Sequence, residues 1–345
     1  MINFPIFDII SLMNKDIKKI AIVRLSALGD IVNSAIVLQF IKQYYPHVKV
    51  DWITEEVFSP LLETLPGLNA VLSVNLKKIK KEKSLQLLKQ TIKELRLLGE
   101  YDFIIDMQGL IKSAIVARVI GKNTHGFNKN STRESLAALL YKTSSDISYE
   151  SSVVKRNCFV VGDALGISID ESMILKKEAI FRVDKDFSLD KDRKNIAFVI
   201  GASWPSKIYP KESVAQLCNA LKEKSYIIWG NETEKEEAEW ICKHSQYATL
   251  APKLNLKELV SFISQVDLLI GNDTGPTHMA WAQNTPSITL LGPTTTRMIY
   301  ETPINIGIKS PSEVNILKID KQDFSIKDIP YETVETQAKD LLNGL

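Results

Sequence analysis

The sequence predicts an α/β protein made of two doubly wound domains, each a mostly parallel sheet covered by helices on both faces. Three observations predict it. The chain has 345 residues, which at roughly 150 residues per domain is two domains' worth. Short apolar runs alternate with helical stretches, first in the amino-terminal half and again in the carboxy-terminal half. Between the halves lies a stretch rich in Asp and Lys, including VDKDFSLDKD.

The elements follow in order. KIAIVR (Lys19 to Arg24) reads as a buried strand, Gly29 to Tyr45 as a helix closed by Pro46, and Val48 to Thr54 as the next strand. Val71 to Val74 is a short third strand. Leu85, Leu88, Ile92 and Leu95 repeat with helical spacing, so Glu82 to Leu98 reads as one helix stopped by Gly99. DFIID (Asp102 to Asp106) is a fourth strand, and Leu110 to Ile120 the helix after it. In the second half, Asn195–Ile200, Tyr226–Trp229, Asp267–Ile270 and Ser287–Leu291 read as strands. Helices are expected at about 211–223, 232–244, 256–265 and 275–283. The predicted boundaries are 1–170 for an N-terminal domain, 171–194 for an exposed linker and 195–330 for a C-terminal domain. A closing helical stretch, 331–345, is expected to pack back on either domain, with the N-terminal domain as the candidate.

Composition narrows the function. The 43 Lys and Arg against 41 Asp and Glu leave a formal charge of +2, without the basic field of a nucleic-acid binder, so no nucleic-acid partner is expected. Cys158, Cys218 and Cys242 are too scattered for a disulfide framework or a zinc knuckle and read as small core residues. No apolar run reaches the roughly 18 residues of a membrane span. Met1 to Asn14 carries Asp8 and lacks a basic start and a cleavage site, so it is read as a lead-in rather than a signal peptide. A cytoplasmic protein is expected. The sequence has no G-x-x-x-x-G-K-[ST], no G-x-G-x-x-G after a strand and no H-E-x-x-H. These absences argue against a P-loop NTPase, a dinucleotide dehydrogenase and a zinc hydrolase. Asp184-x-Asp186 has the spacing of a metal–sugar-nucleotide motif but falls in the charged connector and is read as solvated surface.

In open α/β sheets ligands bind beyond the carboxyl ends of the strands, so the residues there carry the information. Leu25-Ser26-Ala27-Leu28-Gly29-Asp30 follows the first strand. Asp30 has two readings, a helix cap and a carboxylate base kept ionised by the helix dipole. Asp106 and Gln108 after the fourth strand either line the cleft or cap the next helix. Gly201-Ala202-Ser203-Trp204-Pro205-Ser206-Lys207 puts small residues and a lysine where a phosphate can be met, or is a surface turn. Gly271-Asn272-Asp273-Thr274-Gly275-Pro276-Thr277-His278 runs from a strand into a helix start, an anion site by virtue of its free N–H groups. Leu76 to Glu100 holds eight Lys or Arg against three Glu. That charge is either a solvated face or a contact for an anionic ligand or membrane.

Taken together, IVRLSALGDIV, VDWITEE, YDFIIDMQGLIKSA, HGFNKNSTRESLAALLY, GASWPSK, WGNETEKEEA and GNDTGPTHMAWA resemble, in that order and over residues 18 to 340, the lipopolysaccharide heptosyltransferases. These are inverting glycosyltransferases of the GT-B fold, two Rossmann-like domains facing a central cleft. The first strand and turn, DMQGLIKSA and STRESLA look most like the heptosyltransferase I branch, which adds the first heptose to Kdo on lipid A. The resemblance implies Asp30 as general base on the acceptor hydroxyl. It implies Lys207 and Ser203 at the donor diphosphate, Glu232 at the ribose and Leu254 beside the adenine. Asp273, Thr274, Gly275 and His278 would grip the heptose and phosphates. Arg133 and Lys77, Lys78, Lys80, Lys81 and Lys83 would face the anionic acceptor. The N-terminal domain would bind acceptor and the C-terminal domain ADP-heptose. The implied partners are ADP-heptose, Kdo-lipid A and the inner-membrane surface, with the enzyme peripheral on its cytoplasmic face. No cofactor is expected, and no essential metal, because Lys207 and the helix start can offset the leaving charge. The alternatives are a heptosyltransferase II-type transfer to heptose and a sugar-nucleotide epimerase or hydrolase on the same scaffold.

Overall fold

A computed structural model describes residues 16–344. The reading of Met1 to Asn14 lies outside the described residues. The chain divides into two compact units. Among the described residues, one comprises 16–27 together with Asn33–Lys177; the other comprises Leu28–Val32 together with 178–344.

The first unit is built on a six-stranded sheet: β1 (Lys19–Val23), β2 (Lys49–Glu55), β3 (Ala70–Val74), β4 (Phe103–Asp106), β5 (Thr124–Phe127) and β6 (Thr143–Ser145). The order is β3-β2-β1-β4-β5-β6 and every pair is parallel. The strands need both faces covered, and their near-continuous apolar character follows from that. Helices α1 (Leu28–Ala35) and α2 (Val37–Tyr44) join β1 to β2, and α3 (Ser59–Leu62) lies between β2 and β3. Helices α4 (Leu76–Glu82) and α5 (Leu85–Arg96) lead to β4, α6 (Ile111–Ile120) to β5, and a 3-10 turn (Ser135–Leu140) to β6. Then come α7 (Val153–Leu165) and α8 (Glu171–Leu175). Val23, Ile53, Ile104 and Ala117 lie at the centre of one core cluster.

The second unit repeats the plan with β7 (Asn195–Val199), β8 (Lys224–Ile228), β9 (Ala248–Leu250), β10 (Leu268–Asn272), β11 (Ser287–Leu291) and β12 (Asn305–Lys309). Their order, β12-β11-β10-β7-β8-β9, is again parallel throughout. The covering helices are α9 (Lys211–Leu221), α10 (Glu232–His244), α11 (Leu256–Ile263), α12 (Gly275–Ala282) and α13 (Tyr331–Asn343). In each unit the strand order reverses once, between β1 and β4 and between β7 and β10. Those are the switch points at which doubly wound sheets bind ligands.

Four readings change. The single helix expected over Glu82–Leu98 is two, because Lys83 turns left-handed at φ +50° and Ser84 Oγ caps the second by accepting from Leu87 N at 3.2 Å. The helix expected over Gly29–Tyr45 is interrupted for one residue at Ile36, where Gln39 N donates to Ile36 O three residues back. The charged 171–194 stretch is not simply an exposed linker. Ile180 and Phe181 are buried, and Phe181 exchanges hydrogen bonds with the Gln283 side chain at 2.9 and 3.0 Å. Phe187 packs edge-on against Phe262. The apolar AIF triplet anchors this strap on the second unit. The C-terminal helix packs on the second unit rather than the first, with Val334 and Ala338 fully buried in its core. Strands β5, β6, β9 and β12 were not assigned from the sequence. In β5, His125 is accommodated because its ring nitrogens meet Thr143 Oγ1 at 2.8 Å and Ser145 Oγ at 2.7 Å.

Candidate active site

In the second unit the switch point is occupied by charge. The GND triplet ends β10 at Asn272 and leaves Asp273 just before the start of α12, with its side chain 2% exposed. Lys207, at the end of a 3-10 turn after β7, reaches Asp273 Oδ2 at 2.7 Å. His278, one turn into α12, meets Asp273 Oδ1 with Nε2 at 3.1 Å. Burial alone would raise the Asp273 carboxyl. The hydrogen bond from His278 and the charge of Lys207 outweigh it and hold the group well below the usual carboxylate range. An ionised carboxylate only accepts, so His278 Nε2 carries the proton of that bond. Asp273 thus fixes one ammonium and one imidazole. Lys207 keeps two further N–H donors for an anion.

A second layer holds this arrangement. Asn272, 1% exposed, donates from Nδ2 to Ile200 O at 2.8 Å and accepts from Tyr209 N at 3.1 Å, tying the loop after β7 to the end of β10. Thr277 Oγ1 donates to Asn272 O at 2.6 Å. Thr274 precedes α12, Gly275 and Pro276 open it, and the first N–H groups of the helix are oriented as the positive end of its dipole.

The remaining donor-side expectations divide. Ser203 is exposed and makes no hydrogen bond to the Lys207–Asp273–His278 cluster; Trp204 beside it lies under the Lys207 and Lys321 ammonium groups at 5.4 and 4.8 Å. Leu254 is half-buried just before the α11 cap, where Asn255 and Glu258 cap each other. Glu232 is exposed on the first turn of α10. Its neighbour Glu234 is the acid that returns to the strand ends. Glu234 accepts from Gly230 N at 2.6 Å and from Asn231 Nδ2 at 2.8 Å, and a Cβ on Gly201 would stand 2.5 Å from Glu234 Cδ. The signal was present in Asn231-x-x-Glu234, which has capping-box spacing: Asn231 Oδ1 accepts from Glu234 N at 3.0 Å while the Glu234 carboxylate folds back onto Gly230 N–H and Asn231 Nδ2, which orients the third residue and not the first.

Asp30 is the third residue of α1, not the residue before it, so it does not occupy the N-cap position. The dipole at that end still favours its carboxylate. By its contacts the Leu28–Val32 segment belongs to the second unit, the same body as Asp273 and His278.

In the first unit the switch point gathers other groups. Asp106 is fully buried and accepts from Gln108 N at 2.8 Å and Tyr141 OH at 2.7 Å. Burial raises its carboxyl pKa against the pull of those bonds. It is therefore a structural brace of the turn, and Gln108 is the residue that faces outward. Gln108 Oε1 accepts from Leu25 N at 2.9 Å, and its Nε2 lies 3.3 Å from Ser26 Oγ. Lys112 Nζ also donates to Ser26 Oγ, at 3.2 Å. Ser26 Oγ accepts twice, so its own proton is available to an anion. Glu55, at the end of β2 and 4% exposed, is raised by burial, with the charges of Lys112 and Lys77 opposing. Lys77, Lys78, Lys80, Lys81 and Lys83, on α4 and its left-handed end, have exposed side chains, as does Arg133 in the loop before the 3-10 turn. Ser26, Lys112, Asn272 and Glu234 stand at these strand ends and were left unassigned by sequence reasoning. Among the described residues no group of three His, Cys, Asp or Glu could hold a metal ion, and no helix is long and apolar enough to cross a membrane.

Comparison with known proteins identifies the family. The family profile of glycosyltransferase family 9 (heptosyltransferase) matches residues 88–319. Lipopolysaccharide heptosyltransferase 1 of Campylobacter coli is 38% identical over 342 residues, covering 94% of this chain and 98% of its own. The protein of the same name from Escherichia coli K12 is 25% identical over 314 residues, covering 88% and 97%. Among solved structures, E. coli heptosyltransferase WaaC with ADP-2-deoxy-2-fluoro heptose superposes with a TM-score of 0.77 at 22% identity, covering 93% of this chain and 99% of that one. The fold is therefore GT-B, and the chain belongs to glycosyltransferase family 9, the heptosyltransferases.

Proposed function

We propose that this enzyme, a glycosyltransferase of lipopolysaccharide inner-core assembly, takes ADP-heptose as donor and the Kdo of Kdo-lipid A as acceptor, with Asp30 as general base. The observation that carries the reading is the buried Lys207–Asp273–His278 cluster at the switch point of the second sheet. The kinship with lipopolysaccharide heptosyltransferase 1 supports the choice of donor and acceptor.

The proposed reaction forms a bond from an acceptor hydroxyl oxygen to C1 of the heptose as the bond from C1 to ADP breaks, with inversion. The hydroxyl proton passes to the Asp30 carboxylate, a step worth roughly 10²–10⁴ in rate. Negative charge develops on the departing diphosphate. Lys207 meets it with a charge fixed in place by Asp273, and the first N–H groups of α12 add the helix dipole. Each hydrogen bond to a charged group contributes about 1.5–3 kcal/mol. Two or three such contacts supply what a divalent cation supplies elsewhere, so no metal is essential in this proposal. Glu234 takes over the ribose contact assigned to Glu232, because Glu234 is the acid at the ends of β7 and β8. Ser26, Gln108 and Lys112, with the Lys77–Lys83 run and Arg133, meet the anionic acceptor. The acceptor is lipid-anchored, so the enzyme is placed on the cytoplasmic face of the inner membrane.

The test is incubation with ADP-heptose and, separately, Kdo-lipid A and heptosylated Kdo-lipid A, with products read by mass. One heptose added to Kdo-lipid A alone is expected. Transfer only to the heptosylated acceptor moves the protein to the heptosyltransferase II activity, and consumption of donor without any acceptor makes it a hydrolase or epimerase.

A further inference from the structure

One face of the first unit carries an unusual surface. The crossovers from β3 to β4, β4 to β5 and β5 to β6 all run in the same direction across the sheet. Right-handed crossovers place their helical segments on one face, and α5 packs against α6 and α6 against the Ser135–Leu140 turn. Ile111 N donates to Glu134 Oε2 at 2.8 Å, joining α6 to the chain just before that turn. Four large apolar side chains on these two segments face solvent: Ile111 at 38%, Ile115 at 49%, Leu136 at 63% and Leu139 at 79% exposure. Ile111 and Ile115 are one α-helical turn apart, and Leu136 and Leu139 one 3-10 turn apart, so each pair presents a single stripe. Large aliphatic side chains so exposed and so grouped mark a docking surface.

The charges around the stripes are mostly positive. Lys112, Arg118 and Arg133 are exposed there, and the nearby Glu134 is engaged with Ile111 N–H. Helix α5 extends the pattern, with Leu85 72% exposed and Lys89, Lys93 and Arg96 on its surface against one exposed acid, Glu94, which accepts from Gln90 Nε2. Exposed aliphatics bordered by cations fit a lipid–water boundary with anionic headgroups, where apolar tips enter the acyl region and each cation adds about fivefold in affinity.

We infer that the face formed by α6 and the Ser135–Leu140 turn, centred on Ile115, Leu136 and Leu139, is the surface by which this enzyme lies on an anionic phospholipid bilayer. The inference rests on the reading above that the acceptor is lipid-anchored, and it names the part of the molecule that brings the enzyme to it. Basic character alone would put the contact at the Lys77–Lys83 run. The apolar stripes put it instead on α6 and the 3-10 turn, with the lysines as its electrostatic border.

The experiment compares the wild-type protein with Leu136→Asp/Leu139→Asp and with Arg118→Glu. Each is sedimented with phosphatidylcholine vesicles and with mixed phosphatidylcholine/phosphatidylglycerol vesicles, at low and high salt. The wild type is expected to bind the mixed vesicles in preference. The double variant should lose about tenfold or more in partitioning at either salt, because two leucines no longer bury their surface. Arg118→Glu should lose binding at low salt chiefly. Both variants should transfer heptose to a soluble, deacylated acceptor at the wild-type rate. Wild-type protein that ignores both vesicles, or a double variant that binds the mixed vesicles unchanged, overturns the inference. So does a wild-type dimer that the double variant cannot form, which would assign the stripes to a second copy of the chain. Absence of transfer to any acceptor by any variant would instead defeat the functional reading, and the sedimentation result would still decide this one.

Discussion

Replacing Asp273 with Asn tests whether the cluster is organised as described. The carboxylate lies 2.7 Å from Lys207 Nζ, an attraction of roughly 6 kcal/mol at an effective dielectric of about 20. Desolvation of both groups offsets part of that. Losing one partner of a buried pair costs about 3–5 kcal/mol, because the other charge stays buried and uncompensated. Lys207 has a side chain 10% exposed, so little water reaches it in compensation. For a unit of this size, each kcal/mol is about 2–4 °C in Tm. The unfolding transition that ADP shifts upward should therefore fall by about 6–20 °C in Asp273→Asn. The pH dependence has a definite sign. A depressed carboxyl pKa stabilises the fold fully above the ordinary Asp value of about 3.9 and loses that stabilisation only as pH falls through the lower folded value. The gap in Tm between wild type and variant should hold steady from neutral pH down to mildly acid conditions and close only in strong acid. ADP affinity, read by calorimetry, should fall as well, because Lys207 is no longer held in place. A Tm within about 2 °C of wild type would refute the buried-pair argument. Tighter ADP binding would mean that Asp273 restrains Lys207 rather than presenting it.

Four further outcomes are expected. Asp30→Asn should keep donor binding and lose at least about a hundredfold in turnover; near-normal turnover in a single-turnover assay removes Asp30 from the chemistry. Lys207→Ala should weaken ADP-heptose binding by about tenfold or more, measured by calorimetry. Glu234→Gln should reduce affinity for ADP more than for inorganic pyrophosphate, whereas Glu232→Gln should leave both unchanged; the reverse pattern restores the ribose contact to Glu232. Turnover should survive exhaustive chelation, and activity that returns only when a divalent cation is added back would end the proposal that Lys207 and the α12 start suffice.

The sheet pattern was legible wherever the strands are buried on both faces. KIAIV, FIID, NIAFV and SITLL are apolar runs that no solvated segment would carry, and they lie within a residue or two of the strands observed. The last two strands of the first sheet, β5 and β6, were not legible. THGF and TSS are polar, and they become strands because His125 finds Thr143 and Ser145 across the pairing, a long-range fact with no local signature. The strap at 178–190 misled in the opposite way. Its charges are real, but Ile180, Phe181 and Phe187 decide where it lies, since three apolar side chains outweigh solvated Asp and Lys.

The site divides along the same physical line. Residues that act from strand ends could be found by position, because a doubly wound sheet leaves its free carboxyl ends and helix starts at one place; Lys207, Asp273 and His278 were located that way. Residues whose position depends on hydrogen bonding within a turn could not. Glu232 and Glu234 are two residues apart on one helix start, and only the cap geometry decides which carboxylate folds back onto Gly230 and Asn231. Position likewise left Asp106 and Gln108 equivalent, until the three hydrogen bonds to the Asp106 oxygens turned it inward and left Gln108 toward Ser26 and Lys112. In the first unit the reason is physical. The Asp106 carboxylate is spent on two backbone N–H groups and the Tyr141 hydroxyl and braces its turn, whereas its neighbours keep donors to spare. Ser26 and Lys112, which share one hydrogen bond and keep donors unspent, are therefore the first-unit residues with the strongest claim on an anionic acceptor.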